Sequence, residues 1–176
     1  MSRLTQTELA TLFADPVAQR LLQATIPARL AYTGLDGAPR VIPIGWSWDG
    51  SGFLMWTVPR SAKVRALRQD PRVAVTIDTN DFPPKVLLVR GTATVDEVPG
   101  VPQGYLDAGH KMVDEAQYGE WEQGVRALYD SMVEIRITPT WARIHDFETR
   151  IPSAVAELVR EKQGVAAPAD APRLTE

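Results

Sequence analysis

Ala28-Arg-Leu-Ala-Tyr-Thr-Gly-Leu-Asp-Gly-Ala-Pro-Arg-Val-Ile-Pro-Ile-Gly-Trp46 decides how the rest of the chain is read. Residues 28–33 read as a strand and residues 40–48 as a second. Asp36-Gly37 between them is a hairpin signal, because tight hairpin turns need left-handed backbone that glycine tolerates. Trp48-Asp-Gly-Ser-Gly52 is another turn, and residues 53–58 are a third strand. A short helix over 61–69 is stopped by Asp70-Pro71, since proline disfavours helical backbone before it. Residues 72–78, with Val-Ala-Val-Thr-Ile at the centre, form a fourth strand. Residues 80–84 form a loop and residues 85–95 a long fifth strand.

Outward from this block the pattern turns helical. Thr5-Gln-Thr-Glu8 has the form of a capping box, and Asp15-Pro16 restarts the pattern with an N-cap and a proline at the first helical position. Residues 5–24 are therefore one broken helix or two short ones. Residues 107–130 look helical and acidic, with Gly119 as a dividing point. Residues 132–137 alternate apolar and polar side chains as a half-buried antiparallel strand does. Pro139 punctuates, and residues 141–147 read as the last strand. Val155, Leu158 and Val159 suggest a short terminal helix. Strands joined by turns of two to five residues, with helices grouped before and after, predict an antiparallel barrel with helical additions, and no alternating βαβ fold. The expected organisation is a single domain over 1–163 with a helical insert at about 101–130. Residues 164–176, rich in Ala and Pro, read as a disordered tail.

Composition narrows the chemistry. The 176 residues carry no cysteine, which excludes disulfides, iron–sulfur clusters, thiolate zinc sites and cysteine nucleophiles. A net charge of −3 argues against a generally basic nucleic-acid binder. No run of about 18 apolar residues is present to span a membrane, and residues 1–14 lack a signal-peptide core. The expected location is the cytoplasm. His110 and His145 stand far apart, whereas a zinc site needs three or four ligands. No metal site is expected.

Two stretches carry chemical possibilities. In Thr57-Val-Pro-Arg-Ser-Ala-Lys-Val-Arg-Ala-Leu-Arg68 a strand gives way to a helix at about Ser61, a good N-cap. The unpaired N–H groups and dipole of a helical first turn favour an anion. Arg60 and Lys63 flank that turn, and residues 60–68 hold four cations and no acid. The combination suits a phosphate; it also suits a capped surface helix with solvated cations, and the residues alone do not separate the two. The glycine spacing of a P-loop and the dinucleotide G-x-G-x-x-G are missing. Ser61 and Lys63 have no oxyanion-hole motif beside them, which argues against a hydrolase. In Arg40-Val-Ile-Pro-Ile-Gly-Trp46 the proline marks an edge or bulge, and Gly45 allows close backbone approach. A flat cofactor could lie there; equally, Trp46 and Trp48 could simply pack in a core. Residues 107–122, with five acids and one lysine, read most simply as a solvated helix.

The order of these elements resembles the pyridoxamine 5′-phosphate oxidase-like superfamily, within it the oxidoreductases that use FMN or the deazaflavin F420. Asp-Gly-x-Pro at 36–39, the Ser-x-Lys helix start at 61–63 and Asp-Pro-Arg-Val-Ala at 70–74 carry the likeness, which covers 26–95. It implies a mainly β fold with added helices: a split antiparallel β-barrel of Greek-key type, assembled as a homodimer with cofactor sites at the interface. It implies a cofactor phosphate at Arg60, Ser61, Ala62 and Lys63. It implies a ring against the backbone of Ile42, Pro43 and Ile44, near Trp56, Thr57 and Val58. The activity implied is hydride or electron transfer to a small organic substrate. The substrate-phosphate residues of true pyridoxamine phosphate oxidases are not recognisable. A non-catalytic flavin- or haem-binding barrel is the alternative.

Overall fold

Two short helices open the computed structural model, which describes residues 3–150 and 152–163. Helix α1 (Gln6–Phe13) starts with a complete capping box: the Glu8 N–H donates to Thr5 Oγ1 and the Thr5 N–H to Glu8 Oε2. Asp15 then caps α2 (Pro16–Leu22) by accepting the Val17 N–H at 2.8 Å. The two helices bury Leu9, Phe13, Val17, Leu21 and Leu22 in the barrel core.

The strands are β1 (Ala28–Thr33), β2 (Pro39–Ile44), β3 (Trp46–Trp48), β4 (Phe53–Thr57), β5 (Arg72–Asp78), β6 (Lys85–Pro99) and β7 (Ser131–Asp146). They form one antiparallel sheet in the order β2-β1-β5-β6-β7-β4-β3. The strand expected over 40–48 is thus two. Its first part pairs with β1 (Leu30↔Ile42) and its second with β4 (Trp46↔Met55), with Gly45 between. Strands at opposite ends of the sheet are therefore joined by a single residue, and the sheet must curl round to meet itself. The result is a split antiparallel barrel.

The barrel is filled by Leu30, Phe53, Met55, Ile77, Leu87, Ile135 and Ile137, each fully buried. Burying such a side chain contributes roughly 1.5–3 kcal/mol. Helix α3 (Ala62–Gln69) closes one end with Val64 and Leu67. Trp46 and Trp48 both pack against Phe53, with ring centroids 5.6 and 4.8 Å away, and the Trp46 Nε1–H donates to the Ile26 carbonyl at 2.9 Å. These two tryptophans belong to the core.

The closing ladder corrects the sequence reading. The two strands expected on either side of Pro139 are one, β7, and β6 runs on to Pro99. Proline has no N–H for the ladder, and the register slips at that point: Gly91 faces Pro139, while Arg90 faces Trp141. The bulged Thr140 turns its carbonyl to the Leu4 N–H at 3.0 Å. The bulge brings backbone so close that a Cβ on Gly91 would sit 2.5 Å from the Thr138 carbonyl oxygen.

The insert is two helices, α4 (Gln103–His110) and α5 (Glu115–Leu128). They divide at 111–114, where Asp114 caps α5 by accepting the Ala116 N–H, and not at Gly119. Helix α4 lies over β3 and β4, with Gly104 against the Trp56 ring. The expected terminal helix is α6 (Ser153–Gln163). The tail expected at 164–176 lies outside the described residues.

Two glycines test this reading in opposite directions. Gly91→Val forces a side chain into the bulge and costs about 1–3 kcal/mol, seen as a fall of several degrees in Tm. Gly119→Ala, in the middle of α5 with nothing within 4 Å of the added methyl, raises stability by about 0.5–1 kcal/mol. Equal effects of the two in a thermal melt contradict the assigned packing.

Candidate functional site

Strand β4 ends at Thr57, and the Ser61 N–H donates to the Val58 carbonyl at 3.0 Å to make the turn into α3. Ser61 occupies the N-cap position in extended backbone, as expected, but its hydroxyl makes no capping bond. It accepts instead from Lys63 Nζ at 2.9 Å, and the same ammonium donates to Thr57 Oγ1 at 2.9 Å. The first-turn N–H groups of α3 are left without a side-chain cap.

Lys63 is half-buried, and among the described residues no carboxylate pairs with it. Burial holds its ammonium below the ordinary lysine range, because a charge removed from water without a counter-ion is disfavoured. Several other cations find acids. Arg29 pairs with Asp78, Arg72 with Asp70, and Arg136 with Asp49. Lys63 meets only hydroxyls. An anion on the same first turn would complete the set: cation, hydroxyl protons and helix N–H groups.

The second half of the site follows from strand register. Trp46 faces Met55, so a straight continuation of β3 would set Gly45 opposite Trp56 and Ile44 opposite Thr57. At Gly45 the chain leaves for β1 instead, where Ile44 faces Ala28. The barrel opens at that point. Ile42, Pro43 and Ile44 form one lip, with backbone groups on the side away from β1 that pair with no strand. Trp56, Thr57 and Val58 form the other, bonded on their far side to β7 (Thr57↔Val133). Lys63, Ser61 and Thr57 stand at the margin of this split.

The expected site residues are distributed accordingly. Thr57, Ser61 and Lys63 are in direct contact, with Ala62 between the last two. Ile42 and Ile44 turn side chains to the core while Pro43 and Val58 are exposed. Arg60 is exposed beside Ser61. Trp56 is 5% exposed and lies beneath Gly104, so its backbone borders the split while its ring belongs to the α4 contact. Among the described residues the Trp56 Nε1–H is buried without a partner.

One contact had no signal in the sequence. A Cβ on Gly45 would lie 2.8 Å from Met112 Cε, so the α4–α5 turn reaches the corner where the barrel opens. The histidines are elsewhere: His110 faces Glu115 in the insert, and His145 lies on the outer face of β7. Among the described residues no three His, Cys, Asp or Glu gather to hold a metal. A groove of about 350 Å³ runs beside α1, lined by Leu9, Phe13, Trp48, Ser51 and Pro139. It has no charged side chain and lies at the other end of β3 and β4 from Lys63.

Comparisons with known proteins agree with this architecture. The family model described as pyridoxamine 5′-phosphate oxidase matches residues 14–146. A pyridoxine/pyridoxamine 5′-phosphate oxidase of Kineococcus radiotolerans is 30% identical over 122 residues, 69% of this chain and 48% of that protein. The chain thus spans about half the length of that relative. Among solved structures, an F420 reductase is 26% identical with a TM-score of 0.57, over 71% of this chain and 94% of that one. The haem storage protein HutZ of Vibrio cholerae shares the fold at 18% identity and a TM-score of 0.54, over 74% of this chain and 93% of that one. A barrel split at Gly45, a helix start at Ser61 and a family match across both place the chain in the pyridoxamine 5′-phosphate oxidase family.

Proposed function

We propose that the chain is an oxidoreductase of the cytoplasm that holds FMN or F420 along the split and passes hydride or electrons to or from a small organic substrate. The observation that carries this is Lys63, a half-buried cation bound only to the hydroxyls of Ser61 and Thr57 at the start of α3. The likeness to an F420 reductase supports it. When bound, the flavin or deazaflavin ring supplies the hydride chemistry. The chain supplies the rest. Lys63 and Arg60 neutralise the phosphate that both cofactors carry. Ser61, which accepts from Lys63, keeps its own proton to donate. The N–H groups of Ala62 and Lys63 complete the cradle. The backbone groups of the Ile42–Pro43–Ile44 lip that point away from β1 would meet the polar edge of the ring, and Thr57 and Val58 would border it. No side chain at the split offers itself as an acid or base, and protons exchange with solvent.

The working unit in this reading is a homodimer. Register places Val41, Ala31, Ala74, Arg90 and Trp141 in one row on the outer face of the sheet, and Pro43, Arg29, Thr76, Leu88 and Arg143 in the next. Val41 is 66% exposed, and the two rows set arginines beside Trp141, with Arg90 and Arg143 over its ring, a mixture of aromatic and arginine side chains that suits a protein interface. Because Val41 and Pro43 alternate with Ile42 on the lip of the split, a second copy on this face also borders the cofactor.

Titration of the purified protein with FMN and with F420, followed by absorbance and fluorescence, tests the site. Saturable one-per-chain binding of either is expected, with Lys63→Ala weakening it about 10–100-fold at unchanged Tm of the free protein. Unchanged affinity in Lys63→Ala contradicts the phosphate assignment. Ser61→Ala weakens binding less, with little effect on Tm because no cap is lost.

The same lysine sets a pH dependence. Its ammonium is held below the ordinary value, and an anion that pairs with it raises that value, so binding takes up a proton. Affinity is therefore constant at neutral pH and falls as pH rises through the lysine's titration. A titration series between pH 7 and 10.5 shows this decline in the parent and not in Lys63→Ala.

Sedimentation gives a mass twice the 19.4 kDa of one chain, and Val41→Glu shifts it towards one. A monomeric parent contradicts the assignment of the outer face.

A further inference from the structure

We propose that Met112 walls the substrate space above the cofactor ring and sets the size of the molecule that reaches it. The inference rests on the reading of the split as the cofactor site.

Four observations converge on this residue. The Met112 methyl carbon packs on Gly45, whose missing Cβ would lie 2.8 Å from it. Gly45 is the corner at which Ile42, Pro43 and Ile44 part from Trp56, Thr57 and Val58, so Met112 stands at the opening itself. Lys111 beside it holds its ammonium 5.7 Å from the Trp46 ring centroid, a second tether of the same turn to the same corner. Met112 is also 43% exposed, an apolar side chain in an acidic insert with part of its surface left to solvent.

The turn that carries it is built to stay in place. The Met112 and Val113 N–H groups both donate to the Gly109 carbonyl, at 2.9 and 2.8 Å. Trp121 of α5 lies so close over Gly109 that a Cβ there would be 2.1 Å from its ring. Tyr105, one turn before Gly109 on the same face of α4, stacks on that tryptophan too, centroids 5.6 Å apart, and Asp114 caps the next helix. The backbone at 111–114 is thus fixed at both ends. The thioether, with its three rotatable bonds, adapts to what lies against it and favours aromatic rings. A fixed turn with one adaptable apolar side chain suits a wall for flat molecules of varying width.

Methionine oxidation reads this directly, without turnover. Susceptibility to peroxide follows exposure. Met55 and Met132 are 0% and 2% exposed, so they report on intactness of the fold. The full-length protein is treated with hydrogen peroxide, alone and saturated with FMN or F420, and the rate of Met112 sulfoxide formation is followed by peptide mass spectrometry. The bound cofactor should slow it about fivefold or more, with Met55 and Met132 unoxidised in both. Saturable cofactor binding with an unchanged Met112 rate overturns this inference alone. Failure to bind either cofactor overturns the functional reading and this inference with it. With reduced FMN or reduced F420 supplied in excess as the electron donor, Met112→Ala should raise kcat/KM for menadione relative to p-benzoquinone about threefold or more, through KM. Met112→Leu, of similar volume, should keep the parental ratio. An unchanged ratio in Met112→Ala also counts against the wall.

Discussion

One residue without a side chain holds the architecture open. Gly45 joins two strands that lie at opposite ends of the sheet, and no strand can pair on both sides of such a corner. Before it the chain is bound to β1, after it to β4. The barrel must therefore close around its hydrophobic filling and must also stay parted at this corner. The lips of the split carry backbone N–H and C=O groups that no strand satisfies, and unsatisfied backbone seeks a partner. A side chain at position 45 would also displace Met112, so the same residue sets both the topology and the approach of the insert.

Charge makes the second demand. Core packing of Val64 and Leu67 fixes α3 across the end of the barrel, and this brings Lys63 to Thr57 across the turn. Lys63, half-buried among hydroxyls, lacks the carboxylate partner that Arg29, Arg72 and Arg136 find, and burial holds its ammonium below the ordinary lysine range. Such a group contributes little to folding. In the proposed function its place is explained by an anion that arrives later, which is how a binding site differs from a stabilising contact.

Local signals in the sequence settled most elements and failed where long-range register decides. Caps at Thr5 and Asp15, the Asp36-Gly37 turn and the stop at Asp70-Pro71 act within a few residues, and the structure follows them. Pro139 misled, because a proline in a ladder reads as a break unless the partner strand supplies a bulge, and Gly91 lies 48 residues away in sequence. Gly119 misled in the same way: glycine is a weak helix former, yet the real break at 111–114 is set by Asp114 as a cap. At the candidate site, the nearness of Ser61 and Lys63 at the start of α3 was legible from residue type and spacing. The use of the Ser61 hydroxyl was not, since capping and accepting from lysine need the same oxygen and only the fold says which wins. The burial of the Trp56 ring and the contact of Met112 with Gly45 depend on where the insert docks, for which single-chain periodicity holds no record.

In the proposed function the start of α3 and the lip of β2 bind the same molecule. Backbone amide NMR of the isotope-labelled protein during titration with FMN or F420 tests it most directly. The amides of Ala62 and Lys63 are expected to shift in step with those of Ile42 and Ile44, on one saturation curve with one equivalent per chain. Shifts confined to one of the two segments, or centred on the groove beside Phe13 and Trp48, would contradict it.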